Sequence, residues 1–254
     1  MKGTQSVNQT RRSAASSLAA ALLLLAPAAA QAGPPYFTDD PEPVELHHWE
    51  AYLATLAAFG ADGFLGPVPL VEVNYGAAAN LQLHLVMPFV LSAGGGSASH
   101  YGPGDLELGA KYRFVDEEQA GVQVGLFPIV TLPTGSSEKG LGAGSTTAIL
   151  PIWLQMSFGP WTSYGGAGYR IRPGPDGWYL GWLLQRRVGP VAIGAEVFHE
   201  TDTERTLAGD NGFTVGAVVD LSERHHVLVS FGGGPGSQLL HAYLGWQVTF
   251  GPKE

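Results

Sequence analysis

From Trp49 onward, the chain alternates apolar with small or polar residues, in runs of about nine to thirteen residues separated by Gly, Pro, Asn or Asp. A period of two is that of a β-strand, because successive side chains point to opposite faces of a sheet. Leu, Met or Phe occupies every second position from Leu81 to Leu91, and the final run, from Leu240 to Phe250, repeats the pattern. Sustained helical spacing is absent from these runs. The pattern therefore predicts an all-β fold.

The number and length of the runs indicate the kind of β fold. About twelve runs are present, and single-chain bacterial outer-membrane barrels have an even number of strands. The runs approach the ~9–11 residues that a tilted strand needs to cross the hydrocarbon of a membrane. Their approximate bounds are 47–60, 67–77, 81–92, 105–115, 121–133, 146–158, 161–172, 178–188, 191–200, 212–221, 226–233 and 238–250.

Two soluble architectures, a β-sandwich and a lipocalin-like barrel, would also alternate. Their strands average ~5–6 residues, and their solvent face should be rich in Lys, Glu and Thr. Here only 14% of the residues are charged, against ~25% in a typical soluble domain, and the polar face consists of Gly, Tyr, Gln and isolated charges. We predict a transmembrane antiparallel up-and-down β-barrel of about twelve strands over residues 46–250, with its apolar face toward lipid.

The first 32 residues have the three parts of a secretory signal peptide. Lys2, Arg11 and Arg12 form a basic start, an apolar block from Ala14 to Ala30 follows, and the stretch ends at Ala30-Gln31-Ala32. We predict cleavage after Ala32. Export past the inner membrane, combined with the barrel pattern, predicts the outer membrane of a Gram-negative bacterium.

Composition excludes several other functions. The chain has 13 Lys+Arg against 22 Asp+Glu, and removing the signal peptide takes away three bases and no acids. This balance makes nucleic acid an unsuitable partner, because phosphate binding needs a concentrated basic surface. The chain has no Cys, which excludes a thiolate metal site, a cysteine nucleophile and a lipid anchor on an N-terminal Cys.

The connections between runs predict the orientation of the barrel, if the first strand starts in the periplasm. Short periplasmic turns and longer external loops are usual in such barrels. The short connections are 78–80, 159–160, 189–190 and 222–224, and the long ones are 93–104, 134–145 and 201–211.

The parity of each run predicts which side chains point outward and which line the lumen. Aromatic residues near strand ends suit the headgroup region; they are Trp49, Tyr75, Trp161, Trp178, Trp182, Phe213 and Trp246. The residues predicted to line the lumen are Glu50, Glu72, Asn74, Gln82, His84, Lys111, Arg113, Gln123, Phe127, Trp153, Tyr164, Arg170, Arg172, Tyr179, Arg187, Glu196 and His241.

Glycine recurs on the predicted inner face. A glycine leaves the wall free of side chains, so these positions predict strong curvature or a clear passage through the barrel. They are Gly125, Gly166, Gly168, Gly181, Gly194, Gly216 and Gly245.

Residues 33–45, here called the acidic segment, precede the first strand and read GPPYFTDDPEPVE. They are too rich in Pro for a strand and too acidic for lipid. We predict that the segment plugs the periplasmic mouth by docking against Lys111, Arg113 and Arg187; the alternative is a solvated tail. The carboxylates of the predicted periplasmic plug are Asp39, Asp40, Glu42 and Glu45.

Two stretches carry a resemblance to a known family. Residues 33–52, GPPYFTDDPEPVELHHWEAY, and residues 127–135, FPIVTLPTG, resemble the outer-membrane transporter family named for the meta-pathway of phenol degradation. The resemblance implies a β-barrel associated with the uptake of small, often aromatic compounds. It supplies no catalytic residues.

An outer-membrane hydrolase is the enzyme alternative. Ser230 and His241 share the inner parity on successive strands, but a Ser–His pair needs a third, orienting group and an oxyanion pocket. The sequence offers no acid or amide of matching parity beside them. We therefore expect no enzymatic activity.

The adjacent histidine pairs at 47–48 and 225–226 do not predict a metal site, because neighbouring strand residues point to opposite faces. We expect neither a metal nor another cofactor.

The sequence thus favours an outer-membrane channel for passive passage of small solutes, aromatic or hydrophobic compounds among them. The expected partners are outer-membrane lipid, the solute, and the assembly machinery, which recognises aromatic-ended last strands like the one that ends at Phe250 before the tail 251–254. A closed barrel with a structural or surface-adhesive role is the alternative.

Overall fold

The computed structural model describes residues 33–60, 63–94, 97–116, 120–201, 211–234 and 240–252. The predicted signal peptide, residues 1–32, lies outside the described residues, as does most of the predicted loop at 201–211.

Within these ranges the chain forms strand segments that pair antiparallel with their neighbours in one sheet. The last segment pairs with the first, with Leu53 opposite Trp246, so the sheet closes into a barrel. The segments are β1 (Trp49–Gly60), β2 (Gly63–Ala78), β3 (Leu81–Gly94), β4 (Ser97–Pro103), β5 (Leu106–Val115), β6 (Gln123–Leu126), β7 (Ile129–Leu132), β8 (Thr147–Phe158), β9 (Trp161–Ile171), β10 (Gly177–Val188), β11 (Val191–Glu200), β12 (Asn211–Asp220), β13 (His225–Gly233) and β14 (Leu240–Phe250).

Two of the barrel strands are interrupted. β4 and β5 both pair with β3, one after the other, with Tyr101 opposite Leu91 and Leu108 opposite Leu85. β6 and β7 likewise share the partners β5 and β8. Each pair of segments is one strand of the wall, so the wall has twelve strands, which confirms the predicted fold and strand number.

The structure corrects one predicted loop. Residues 93–104 are rich in Gly and Ser and were expected to form a long connection, but β3 runs to Gly94 and β4 begins at Ser97. Ser92 pairs with His100 in this extension. Backbone hydrogen bonds hold the hairpin together whatever its side chains, so composition alone was misleading here. The long connection after β7 is retained and contains a short 3-10 turn at Ser137–Lys139.

The outer face of the barrel is apolar and uncovered by any other described part of the chain. Leu53, Val197 and Leu244 each have more than half of their surface exposed, at 52%, 64% and 60%. Burying apolar surface away from water is favourable by about 25 cal/mol per Å², so this face fits an apolar surrounding. At the end where β1 begins, here called the base, the ring of Trp49 lies 4.3 Å from that of Tyr75.

In the part of the chain that the structure describes, no helix has the length and apolar character needed to cross a membrane.

Candidate functional site

The acidic segment occupies the lumen of the barrel. A turn with the Tyr36 N–H donating to the Gly33 carbonyl at 3.1 Å leads it inward, and Thr38 and Asp39 are almost completely buried. The chain then returns to the base, where the His47 N–H donates to the Gly76 carbonyl at 2.7 Å. The segment therefore enters and leaves through the same end.

Glu196 on β11 holds the innermost part of the segment. Its two carboxylate oxygens accept the backbone N–H groups of Phe37 at 2.9 Å and Thr38 at 2.8 Å. The Thr38 hydroxyl lies 3.2 Å from the Tyr179 hydroxyl. One carboxyl group thus binds two adjacent buried backbone N–H groups, so Glu196 is a main anchor of the segment.

Lys111 on β5 is the second anchor. Its Nζ donates to Asp39 Oδ1 at 2.9 Å, to Asp40 Oδ1 at 3.4 Å and to the Glu42 carbonyl at 3.4 Å. Burial raises the pKa of Asp39 by disfavouring the charged carboxylate, and the nearby Lys111 ammonium opposes that shift. Lys111 Nζ also lies 5.1 Å from the centre of the Phe127 ring, within the range of a cation–π contact.

The other two bases expected to bind the acidic segment have different partners. Arg113 forms an ion pair with Asp116 at 3.3 Å, and Arg187 forms one with Asp220. Strand parity placed all three bases inward, but only the position along the barrel axis decides which of them reaches the segment. Of the three, Lys111 has the contacts expected for docking.

The side chain of Phe37 fills an aromatic cluster, defined here as Phe37, Trp153, Tyr179, Phe198 and His241. The Phe37 ring centre lies 5.1 Å from that of Phe198 and 4.9 Å from that of His241. Tyr179 stacks on Phe198 with ring centres 6.4 Å apart and forms an edge-to-face pair with Trp153 at 6.1 Å. These distances are those of favourable ring pairs, so the segment is held by apolar as well as polar contacts.

The inward glycines do not leave a clear passage, which corrects one of the two expectations for them. A Cβ at Gly181 would lie 2.2 Å from Thr38 Oγ1, and one at Gly194 would lie 2.7 Å from the Tyr36 hydroxyl. Gly125 and Gly216 face Pro41 and Tyr36 in the same way. The space that these glycines free on the wall is filled by the acidic segment.

Enlarging one of these glycines should therefore expel the segment. We expect Gly181→Ala to expose position 38, because the added methyl group would overlap the side chain there. The chain has no Cys, so maleimide labelling of a Thr38→Cys variant, with and without the Gly181 substitution, measures this exposure. Gly245→Ala is the matched control, since a Cβ there would meet the Tyr243 ring at 2.7 Å rather than the segment. If Gly181→Ala and Gly245→Ala gave equal labelling, the close packing of the segment against Gly181 would be contradicted.

A polar network lies on the wall beside the segment. His84 Nε2 is 3.0 Å from Glu107 Oε1, and His84 Nδ1 is 2.7 Å from Asn74 Oδ1. The Asn74 amide in turn donates to Glu72 at 2.8 Å. All four side chains are buried, and hydrogen bonding offsets the cost of placing polar groups there.

The base of the lumen is open as a cavity of about 600 Å³, here called the basal cavity. Among the side chains that line it, Lys111 and Arg224 are the permanent bases, beside His48 and His84. Its carboxylates are Asp39, Asp40, Glu42, Glu45, Glu50, Glu72 and Glu223. Further in, a cavity of only about 20 Å³ lies among Phe37, Trp153 and Tyr179. The lumen is thus wide at the base and nearly filled where Phe37 sits.

Most of the residues predicted to line the lumen are on its inner face. Glu50, Arg113 and Arg170 are partly buried, and Arg170 pairs with Glu200 at 2.8 Å. Those with buried side chains are Glu72, Asn74, Gln82, His84, Lys111, Gln123, Phe127, Trp153, Tyr164, Tyr179, Glu196 and His241.

Two of the predicted residues lie elsewhere. Arg172 follows the end of β9, and its Nε donates to the Pro175 carbonyl at 2.7 Å in the connection to β10. Arg187 lies near the end of β10, and 54% of its side chain is exposed. Parity predicts the face of a strand but not the point at which the wall ends.

The sequence interpretation missed the apolar part of the acidic segment. Tyr36, Phe37 and Thr38 are buried in the lumen, although the charges at 39–45 alone were expected to dock. Phe198 and Glu107 were also missed as inner residues. The run of inward glycines was the available signal, since a wall without side chains accommodates an inserted chain as well as an empty passage.

Ser230 and His241, the two residues weighed in the hydrolase alternative, have other partners. The Ser230 hydroxyl donates to the Pro35 carbonyl at 2.6 Å, and His241 Nε2 lies 3.0 Å from the Thr214 hydroxyl. Both side chains therefore help to form the filled lumen. Over the described ranges, no three His, Asp or Glu side chains are grouped so that they could hold a metal ion.

The chain matches no protein-family model and no curated protein. Its fold is similar to that of several solved structures. The KdgM porin in complex with disordered oligogalacturonate has a TM-score of 0.58 at 10% identity, over 79% of this chain and 99% of the porin. The NanC porin has a TM-score of 0.54 at 7% identity, over 80% and 100%.

The translocator domain of the autotransporter NalP from Neisseria meningitidis has a TM-score of 0.51 at 12% identity, over 80% of this chain and 87% of that domain. At these identities the likeness concerns the fold alone. The resemblance to the phenol-degradation family is not confirmed, since no family model matches. The comparisons and the closed sheet together establish the architecture as the β-barrel seen in outer-membrane porins.

Proposed function

We propose that this protein is an outer-membrane channel for small solutes and that the acidic segment closes it. The observation that carries the proposal is the course of the segment, which enters and leaves the lumen at the base. It can therefore withdraw while the ladders between the barrel strands stay intact. The anchors at Glu196 and Lys111 are polar contacts that water can replace once the segment reaches the base.

The proposed location is the outer membrane of a Gram-negative bacterium. The apolar outer face fits lipid, and removal of residues 1–32 after export would free the acidic segment to fold into the lumen from the periplasmic side. The base then faces the periplasm. The strand that ends at Phe250 is the proposed recognition element for the assembly machinery.

The contacts of Phe37 suggest which solutes pass. A ring fills the aromatic cluster, and two N–H donors at Phe37 and Thr38 bind Glu196. A small aromatic compound with a hydrogen-bond donor offers the same two features, so it can compete for the positions that the segment holds. KdgM was solved with a disordered oligogalacturonate, which is a different chemistry.

Solute uptake into proteoliposomes tests the aromatic preference. With a panel of phenols, alkanoates and sugars, we expect Trp153→Ala to reduce the advantage of phenols, because the indole is part of the aromatic cluster, with its ring centre 6.1 Å from that of Tyr179. Trp182→Ala, on the outer face, is the matched control. Equal permeation of all solutes through the unmodified protein would remove the preference while leaving the channel itself intact.

The filled lumen also favours a second candidate, a closed barrel with a structural or adhesive role. The two functions differ in planar-bilayer recordings. A channel gives discrete conductance steps once the acidic segment is removed, whereas a structural barrel stays silent when it is correctly folded.

A further inference from the structure

We propose that cleavage of the signal peptide creates the counter-ion of Asp39: the new α-ammonium group of Gly33 binds this carboxylate and holds the acidic segment in the lumen. The inference rests on the predicted cleavage after Ala32, but not on any passage of solute. It assigns a role to the chain terminus that the sequence alone does not indicate.

The distance between the two groups supports the contact. A Cβ built on Gly33 would lie 2.7 Å from Asp39 Oδ1. The α-nitrogen of any residue is about 2.5 Å from its Cβ, by standard bond lengths, so the Gly33 nitrogen lies within roughly 5 Å of that oxygen. Opposite charges interact appreciably at ~4–6 Å. Gly33 has no side chain to keep the two groups apart.

The charges around Asp39 leave room for a second cation. Lys111 contacts Asp39 at 2.9 Å but also Asp40 at 3.4 Å. The basal cavity, which Gly33 lines, carries more carboxylates than permanent bases. Asp39 is 2% exposed, and a buried carboxylate that shares its lysine partner with a second carboxylate is costly. The α-ammonium group of Gly33 would supply Asp39 with a second positive charge, and no further basic side chain is needed.

The uncleaved chain lacks this group. Before cleavage the Gly33 nitrogen is a neutral amide, and its single proton carries no net charge. Processing therefore changes the charge balance beside the buried Asp39 carboxylate. The consequence is that closure of the lumen follows export and cleavage and is weak in the precursor.

The first test measures the α-amine on protein purified from outer membranes, after mass spectrometry has identified the first residue. We expect an amine-reactive ester at neutral pH to label Gly33 on the order of tenfold more slowly in the unmodified protein than in Asp39→Asn, because ion pairing favours the unreactive ammonium. Exposed Lys139 is the internal reference, and Asp40→Asn is the matched control, expected to behave as the unmodified protein. When the labelling rate is measured as a function of pH, the midpoint for the Gly33 amine should be higher in the protein that contains Asp39 than in Asp39→Asn.

The second test uses closure as the readout. A Thr38→Cys protein that retains Ala32 as its first residue carries its ammonium group one residue earlier. We expect maleimide to label its thiol at least several times faster than the thiol of a Thr38→Cys protein that begins at Gly33. The same pH midpoint for Gly33 labelling in the unmodified and Asp39→Asn proteins, a first residue other than Gly33, or unchanged thiol labelling after the extension would each overturn the proposal, and the midpoint, unlike the rate, does not change merely because the segment is released. None of these readouts involves conductance, so the channel and this contact can fail separately.

Discussion

Deleting residues 33–45 should convert a barrel that conducts rarely into one that conducts steadily in a planar bilayer. The segment fills the lumen where the wall is lined by Gly181 and Gly194. Its removal takes away the side chains that pack against these glycines and so opens the lumen there. The barrel ladders do not include these residues, so the wall should remain intact. We expect frequent conductance steps from the deletion variant and few from the full mature chain.

The control for this deletion keeps the length and charge of the full mature chain. A chain in which residues 33–45 are shuffled retains the same composition but loses the match of Phe37 to the aromatic cluster and of Asp39 to Lys111, so it should conduct like the deletion variant. Heat-dependent mobility on gels and circular dichroism report whether each barrel has folded. A folded deletion variant that remains silent would contradict closure by the segment and favour the structural role.

The second large effect concerns Lys111. We expect Lys111→Met to release the acidic segment, because it leaves Asp39 buried without its lysine partner. Removing one partner of a buried ion pair costs roughly 3–5 kcal/mol, and each 1.4 kcal/mol is a factor of about ten. Maleimide labelling of Thr38→Cys should therefore become faster by about 100-fold or more.

Two further variants show whether the pair itself is responsible. Lys139→Met removes the same charge from an exposed loop and should leave the labelling unchanged. Asp39→Asn combined with Lys111→Met removes both side-chain charges and should restore much of the protection, since neither member of the buried lysine–aspartate pair is then left charged without the other. Rapid labelling in the double variant, or slow labelling in Lys111→Met alone, would show that the ion pair does not hold the segment.

The fold was predictable because its signal is local. From Leu81 to Leu91 every second residue is large and apolar, and each of these side chains turns away from the lumen in β3. A strand needs only its own residues to show which face is apolar. The same rule predicts inner positions for Glu196, Lys111 and Trp153, which are far apart in sequence and whose side chains are buried.

The filling of the lumen was less predictable because it depends on contacts between distant parts of the chain. Phe37 and the Glu196 carboxylate are 159 residues apart, and no local pattern links them. Strand parity also does not report height along the barrel, which explains why Lys111 binds the segment while Arg187 pairs with Asp220 near the end of its strand. The inward positions of Gly181 and Gly194 follow from strand parity, but only the structure shows that Thr38 and Tyr36 pack against them.

The partition of the mature chain between detergent and water tests the central claim, that lipid covers the apolar outer face of the barrel. The chain purified from Gly33 onward should fold in detergent or lipid vesicles, and it should aggregate when these are removed, because side chains such as Leu53 and Leu244 are then exposed to water. Size-exclusion chromatography with light scattering measures this directly. A monodisperse, folded monomer in plain buffer would contradict both the membrane location and the channel.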